Sequence, residues 1–206
     1  MGLNAFLAML LEDVKKVAEK LTGIARPMPK QAVARVKTRK ANAWRFADDG
    51  LVPNNPKWPA IHYRGAVNLK GASDPAAVVE VLFAAHGWME SWRDAVYDYL
   101  HYHSNQHEVL GFVRGHAMLR LGGARGRNVK VKAGDVVILP AGTGHQRLSM
   151  SDDLLVVGAY PRKGGYDMCH PSKPDHDRAA VSAANVPKPK ADPVYGKGGP
   201  LMRLWR

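Results

Sequence analysis

The sequence is poor in cysteine: Cys169 is the only one among its 206 residues, so no disulfide can form within the chain. Small secreted domains with weak cores usually depend on several disulfides, and a chain with a single thiol is not built in that way. A reducing compartment, such as the cytoplasm, agrees with this cysteine usage. A catalytic nucleophile is an alternative role for Cys169, but nothing nearby in the sequence singles out this thiol. An incidental or structural role is therefore favoured.

A membrane-spanning or targeting segment is also not predicted at the N-terminus. The first 11 residues are apolar, but a bilayer span needs about 20 such residues. A signal peptide begins with basic residues, and none precedes this apolar stretch. Phe6 stands where N-myristoylation of Gly2 would require Ser or Thr. We therefore expect a soluble, cytoplasmic protein that does not bind membranes.

Acidic residues are scarce, with 18 Asp and Glu against 30 Lys and Arg, which gives a formal net charge of +12. The excess is concentrated in residues 21–46 and 120–132, where no acid occurs. Such a charge can attract nucleic acid or small anions. No nucleic-acid-binding motif accompanies it, so we interpret the segments as a basic arm and solvated basic faces and do not expect nucleic acid as a partner. Nucleic-acid binding through these segments is the alternative.

The apolar content of 46% is sufficient for a folded core. Near the N-terminus, apolar residues recur in alternating steps of four and three, and charged residues of both signs lie between them. This pattern predicts an amphipathic helix that ends at Thr22 and Gly23. The apolar positions are Leu3, Leu7, Leu10, Val14, Val17 and Leu21. Because this stripe could dock on the rest of the protein or pair two subunits, a homodimer is one expectation.

The chain divides into three predicted regions. Residues 1–50 hold the N-terminal helix and a basic connector, residues 51–161 a barrel with a preceding helix, and residues 162–206 a tail. The preceding helix is predicted from Asp74 as N-cap and Pro75 at the first helical position, and it continues to about residue 85. The tail is rich in Pro, Gly and Lys, and we expect it to wrap the barrel with little regular structure.

Short segments rich in Val, Tyr, Leu and Ile, punctuated by Gly or Asp, follow Trp92. Strands of this length and spacing are typical of an all-β sandwich or barrel. The predicted strands cover residues 95–103, 108–114, 116–121, 129–132, 135–139, 145–150 and 154–160, after a first short strand at residues 60–63.

Three histidines and one glutamate fall on these strands in a pattern that suits a metal ion. His101 and His103 alternate along a strand and so share a face, with their Cα atoms about 7 Å apart. Glu108 follows after a polar turn of four residues, and His145 comes after a later turn rich in Gly. Three imidazoles and one carboxylate suit one divalent transition metal (Fe, Mn, Ni, Co, Cu or Zn), and an octahedral ion would keep about two open positions. The alternative is a barrel in which these side chains only hydrogen-bond to one another.

The same residues resemble the two sequence motifs of the cupin superfamily. The matching positions are His101, His103, Glu108 and Gly115 for the first motif, and Gly134, residues 140–142 and His145 for the second. Two positions that are not ligands depart from the motifs, because Ala95 replaces the usual Gly and Ser149 replaces the usual Asn. More widely, the chain resembles the YjlB-like group of bacterial cupin proteins at residues 92–93, 101–111, 133–145, 156–161 and 192–195.

The resemblance implies a cupin double-stranded β-helix, a jelly-roll barrel, that holds one metal ion. Cupins include dioxygenases, isomerases and decarboxylases, so the resemblance implies a metal-dependent enzyme with a small-molecule substrate but leaves the reaction open. A non-catalytic sensor or storage protein that binds a small ligand or a metal is the alternative function.

Four further side chains near the motifs are candidates for lesser roles. Tyr97 and Tyr99 share the parity of the paired histidines and are predicted to line the pocket, where a tyrosine can orient a substrate or donate a proton. Arg93 could meet an anionic substrate or form a structural salt bridge. His107 would replace Glu108 as a ligand if the turn before it were one residue shorter.

Overall fold

The computed structural model describes residues 26–206, so the predicted N-terminal helix lies outside the described residues. The strands are β1 (Ala41–Trp44), β2 (Ala60–Tyr63), β3 (Met89–Asp94), β4 (Glu108–Arg114), β5 (His116–Leu121), β6 (Arg127–Lys132), β7 (Val136–Leu139), β8 (His145–Met150) and β9 (Leu155–Tyr160). The helices are α1 (Pro29–Val33), α2 (Pro75–Ala85), α3 (Lys173–Asn185) and α4 (Pro200–Leu204). Strands β2, β4, β5 and β8 have the predicted bounds, whereas β1 and α1 are not predicted by the sequence. In this described part of the chain, no helix is long and apolar enough to cross a bilayer.

The strands form two antiparallel sheets that enclose the barrel interior. The larger sheet has the order β1-β2-β7-β4-β9-β3, and the smaller one has the order β6-β5-β8. Buried side chains from both sheets, among them Phe112, Leu119, Val131 and Val137, form one apolar cluster between them. Along β5 buried residues alternate with more exposed ones, so only one face of the smaller sheet is covered. This arrangement confirms the predicted all-β jelly-roll barrel.

Helix α2, which the sequence predicts with these bounds, covers the outer face of the larger sheet. The carboxylate of Asp74 accepts hydrogen bonds from the first free amides of the helix, Ala76 N and Ala77 N, both at 3.0 Å. A Cβ atom at Gly111 of β4 would lie only 2.5 Å from Cγ1 of Val79. The absence of a side chain at Gly111 therefore allows the helix to pack directly against the strand that carries Glu108 at its start.

The predicted strand at residues 95–103 is wrong. Strand β3 instead precedes this segment, at the edge of the larger sheet next to β9. Beyond β3 the chain crosses toward the smaller sheet and makes only two isolated bridges, His101 with His145 and Tyr102 with Cys169. Because its partners belong to two different parts of the chain, no continuous ladder forms. The segment still delivers the paired histidines to the barrel interior.

The C-terminal tail has more regular structure than predicted, since it contains α3 and α4. Ser172 caps α3 and accepts a hydrogen bond from Asp175 N at 3.3 Å, with a proline in the first turn. Asp192 then fixes the tail to the barrel, because its fully buried carboxylate accepts hydrogen bonds from Tyr63 Oη at 2.5 Å and Leu201 N at 3.1 Å. The tail is therefore a packed part of the fold.

Candidate metal centre

Three buried imidazoles meet inside the barrel, where ligand atoms of His101, His103 and His145 all lie within 4.8 Å of one another. His145 starts β8, and its backbone pairs with His101: His101 N donates to His145 O at 3.2 Å, and His145 N donates to His101 O at 2.9 Å. This pairing sets the two ring centroids 4.1 Å apart. Residues that are 44 positions apart in the sequence are thus held together by backbone hydrogen bonds.

Each of the three rings is oriented by a backbone carbonyl at Nδ1. The acceptors are Tyr99 O for His101 at 3.0 Å, Asp167 O for His103 at 2.6 Å and Thr143 O for His145 at 3.1 Å. A carbonyl can only accept, so Nδ1 must carry the proton in all three rings. The Nε2 lone pairs are therefore free, which is how histidine ligands are commonly held in metal sites.

Glu108 adds a carboxylate to the same point. Its Oε2 atom lies 3.2 Å from His145 Nε2 and 3.7 Å from His103 Nε2. This buried oxygen has no hydrogen-bond partner, whereas Oε1 accepts a hydrogen bond from Tyr160 Oη at 3.0 Å. A buried carboxylate oxygen without a donor is unfavourable unless a cation compensates it. The four side chains therefore fit a metal ion.

The ionisation states in the centre also suit a metal. Burial, together with the neighbouring His145, lowers the pKa of His101 to about 3, and burial lowers the pKa of His103. Burial alone would raise the pKa of Glu108, but the imidazoles of His103 and His145 and the hydroxyl of Tyr160 lower it to about 2. Near pH 7 His101 and His103 are therefore neutral nitrogen donors and Glu108 is an ionised carboxylate, which are the forms that bind metals.

Two residues that the sequence interpretation missed hold these ligands in place. Tyr160 ends β9, and besides donating to Glu108 it accepts a hydrogen bond from Trp92 Nε1 at 2.9 Å. Asp167 accepts hydrogen bonds from the backbone N of Ser104 at 2.7 Å and from its hydroxyl at 2.6 Å, which fixes the turn after the paired histidines. Strand alternation along β9 could have pointed to Tyr160. No comparable pattern marks Asp167, which lies in a distant loop.

A cavity of about 210 Å³ adjoins the three imidazoles and the carboxylate. Its remaining wall is largely aromatic and includes Trp92, Tyr97, Tyr160 and Tyr166. Tyr97 and Tyr166, which are 44% and 42% exposed, stand at its mouth. Tyr99 is outside the lining and stacks on Tyr97 with ring centroids 4.9 Å apart. Pockets for drug-sized ligands usually measure about 300–1,000 Å³, so this cavity suits a smaller molecule.

Arg93 also reaches the cavity wall, but its guanidinium is already engaged. Nε and Nη2 donate to the carboxylate of Glu80 at 2.8 and 2.9 Å, and Nη1 donates to Asp74 at 3.2 Å. The hydrogen bonds to Glu80 raise the pKa of Arg93. The structure supports the structural salt bridge, and the described cavity lining offers no other lysine or arginine to an anionic substrate.

His107 and Cys169 do not contribute to the centre. Nδ1 of His107 accepts a hydrogen bond from Ala141 N at 2.9 Å, and Nε2 lies 3.2 Å from Pro187 O, so neither ring nitrogen is free for a metal. Burial and a nearby carboxylate raise the pKa of the Cys169 thiol to about 11. The thiolate that a nucleophilic cysteine requires is therefore scarce near pH 7.

A jelly-roll barrel that surrounds three imidazoles and one carboxylate, carried by the two sequence motifs, defines a cupin. The sequence is 38% identical over 167 residues to the uncharacterized protein YjlB of Bacillus subtilis (strain 168), which covers 81% of this chain and 98% of that protein. The chain belongs to the YjlB family within the cupin superfamily. No family model matches the sequence.

Three solved structures show distant likenesses to this chain. The TDP-fucose-3,4-ketoisomerase WlaRA of Campylobacter jejuni is 12% identical, with a TM-score of 0.36 over 45% of this chain and 74% of that chain. Acireductone dioxygenase of Bacillus anthracis, with a cadmium ion in its active centre, is 15% identical, with a TM-score of 0.35 over 60% and 79%. Oxalate decarboxylase of Bacillus subtilis is 17% identical, with a TM-score of 0.31 over 65% and 28%. Similarities this low say nothing about the reaction of this chain.

Proposed function

We propose that this protein binds one divalent transition-metal ion and is a metal-dependent enzyme that acts on a small molecule. The ligands would be Nε2 of His101, His103 and His145 together with a carboxylate oxygen of Glu108. The observation that carries the proposal is the buried Oε2 atom of Glu108, which has no hydrogen-bond donor and lies close to nitrogen lone pairs. Fe, Mn, Ni, Co, Cu and Zn all accept this mixture of imidazole and carboxylate ligands.

The residues around the centre have separate proposed roles in holding the ligands and binding a substrate. A bound ion would supply Lewis-acid or redox chemistry. Tyr160 holds the carboxylate of Glu108 by a hydrogen bond. Tyr97 and Tyr166 lie at the mouth, where their hydroxyls can orient a substrate. Because Arg93 is engaged by carboxylates, a small uncharged or singly charged molecule suits the cavity better than a dianion.

The experiment that tests the proposal is a compound screen on protein loaded with each metal in turn. Binding is detected by the shift in melting temperature, and product is then measured for every compound that binds. We expect turnover that His145→Ala abolishes and that His116→Ala, a change at an exposed histidine on β5, leaves intact. Binding without turnover of any compound would instead favour a non-catalytic sensor or storage protein. Tyr97→Phe should keep the metal and change only ligand binding or turnover.

We also propose a cytoplasmic homodimer with a small-molecule ligand and no nucleic-acid partner. Light scattering on a sizing column gives the molar mass directly, and twice the chain mass is expected. A monomer would remove the homodimer from the proposal without affecting the metal centre.

A further inference from the structure

A second concave surface lies at the opposite end of the smaller sheet. It is a groove of about 790 Å³, lined by residues of β5 and β6, by Asp135 in the turn after β6, by Arg64 and Gly65 directly after β2, and by Ser149 of β8. The metal ligand His145 starts β8, and Ser149 lies four residues further along it. At roughly 3.3 Å per residue, about 13 Å separates the groove from the metal centre along this strand. The groove is therefore a site of its own.

Basic side chains dominate the groove. They are Arg64, His116, Lys130 and Lys132, and all four are exposed. Over residues 26–206, no carboxylate lies within 4.0 Å of the three permanently charged ones. Three cations that share one concave surface without a counter-ion create a positive potential that attracts anions.

Asp135 is the only acidic residue in the described lining of the groove, and its carboxylate is engaged elsewhere. Its side chain is 3% exposed. Oδ1 accepts a hydrogen bond from Gly65 N at 2.7 Å, and Oδ2 accepts one from Lys132 N at 3.2 Å and lies 3.0 Å from His62 Nε2. Backbone amides and a buried imidazole thus occupy this carboxylate, so it does not neutralise the lysine and arginine side chains.

The strand register gathers the basic groups. In the pairing of β5 with β6, His116 lies opposite Lys132 and Met118 lies opposite Lys130. Lys130 and Lys132 point to the same face because alternate residues of a strand do so. Like charges on one face repel one another, and a bound anion would relieve this repulsion.

Other basic residues of the same segment serve the fold instead. Arg120 donates hydrogen bonds to the carbonyls of Gly123 and Ala124. The guanidinium of Arg127 lies 5.2 Å from the ring centroid of Trp44, a cation–π contact. On β5 and β6, the lysines and arginines that make no such contact are Lys130 and Lys132, and both lie in the groove.

We propose that this groove binds a small organic phosphate monoester. The phosphate would be recognised by the guanidinium of Arg64 and the ammonium groups of Lys130 and Lys132, since charge-assisted hydrogen bonds to phosphate are strong. The volume leaves room for an organic group beside the phosphate. The apolar side chain that would contact this group is Met118, which lies opposite Lys130 on the same face of the sheet, whereas Ala117 and Val131 point into the barrel core.

Isothermal titration of the full chain with phenyl phosphate tests the proposal, with phenol and inorganic phosphate as matched ligands. Phenyl phosphate should bind in one saturable step that weakens with added salt, and phenol should not bind. Inorganic phosphate should bind more weakly than phenyl phosphate. Equal binding of the two phosphates would show that the organic group gains nothing from Met118 and the groove around it, and the monoester proposal would then be wrong.

Variants locate the site. Lys130→Gln with Lys132→Gln should lower the affinity for phenyl phosphate by about tenfold or more. Lys188→Gln with Lys190→Gln, which removes the same charge from exposed positions outside the groove, should leave it unchanged. Equal losses in both variants would overturn the proposal, because only the net charge would then matter.

Two further measurements distinguish the groove from the metal centre and from a nucleic-acid surface. A variant with His101→Ala and His103→Ala should still bind phenyl phosphate, and a loss there would place the ligand on the metal centre instead. A single-stranded oligonucleotide that needs the same two lysines and prevents phenyl phosphate from binding would show a nucleic-acid surface and contradict the proposal. This inference does not depend on the proposed metal chemistry.

Discussion

The hydrogen bond between Tyr160 and Glu108 gives the sharpest test of how the centre is held. Tyr160 Oη donates to Oε1 of Glu108 at 3.0 Å and is itself fixed by Trp92 Nε1 at 2.9 Å. The change Tyr160→Phe removes one hydroxyl and keeps the ring that lines the cavity. The carboxylate then loses its only hydrogen bond from another side chain in the described structure, and its orientation toward the three imidazoles is no longer fixed.

The size of the effect follows from the kind of bond that is lost. A hydrogen bond to a charged group contributes about 1.5–3 kcal/mol. Changes to residues that orient a metal ligand typically lower metal affinity by about 10–100-fold. We therefore expect the metal dissociation constant of Tyr160→Phe to rise by about 10–100-fold, with little change in the fold because the aromatic ring remains.

The assay is a competition titration of metal-free protein against a chromophoric chelator at fixed pH. Tyr97→Phe is the matched control, since it removes the same hydroxyl from the mouth of the cavity, where no ligand of the centre depends on it. An unchanged dissociation constant for Tyr160→Phe would show that this hydrogen bond does not hold Glu108 in place for the metal. So would an equal rise in Tyr97→Phe, because the effect would then not pass through Glu108.

Three further predictions concern the scaffold. Burial raises the pKa of Asp49, but hydrogen bonds from three backbone amides lower it below its ordinary 3.8. The Asp49→Ala variant should therefore be about 1 kcal/mol less stable than the wild type in urea at neutral pH. This difference should disappear as the pH falls below 3.8, because the hydrogen bonds need the ionised carboxylate. Tyr63→Phe removes a hydrogen-bond donor from the buried carboxylate of Asp192 and should lower the free energy of unfolding by about 2 kcal/mol. An unchanged free energy of unfolding in urea titrations would mean that the contact at 2.5 Å does not stabilise the tail. Gly158→Ala would place a Cβ atom 2.0 Å from the indole of Trp92. The near-ultraviolet circular dichroism of this variant should therefore change, and its metal affinity should fall. An unchanged spectrum would contradict the packing of Trp92 on Gly158.

Much of the barrel could be predicted from local patterns. Helix α2 follows from one capping aspartate and the proline after it, strand β4 follows from a run with β-branched and aromatic residues that ends at Gly115, and β5 follows from a leucine-containing segment bounded by Gly115 and Gly122. The metal-binding candidates could be predicted because their spacing repeats known motifs. The structure then brings His101, His103, Glu108 and His145 together, as their spacing suggested.

The remainder depends on contacts that no local pattern encodes. Residues 95–103 alternate like a strand, yet their partners are His145 and Cys169, so they form bridges without a ladder. The roles of Tyr160 and Asp167 depend on hydrogen bonds to groups far away in the sequence. Helix α3, in contrast, could have been predicted, because Ser172 and the proline of the first turn mark its start. The high Pro, Gly and Lys content of the tail instead led to the prediction of little regular structure.

Elemental analysis of untagged protein is the most direct test of the metal centre. We expect about one transition-metal ion per chain in the wild type and in a control with His116→Ala and His176→Ala, two histidines away from the centre. We expect none in the variant with His101→Ala and His103→Ala. A stoichiometric ion retained in that variant would contradict the ligand assignment.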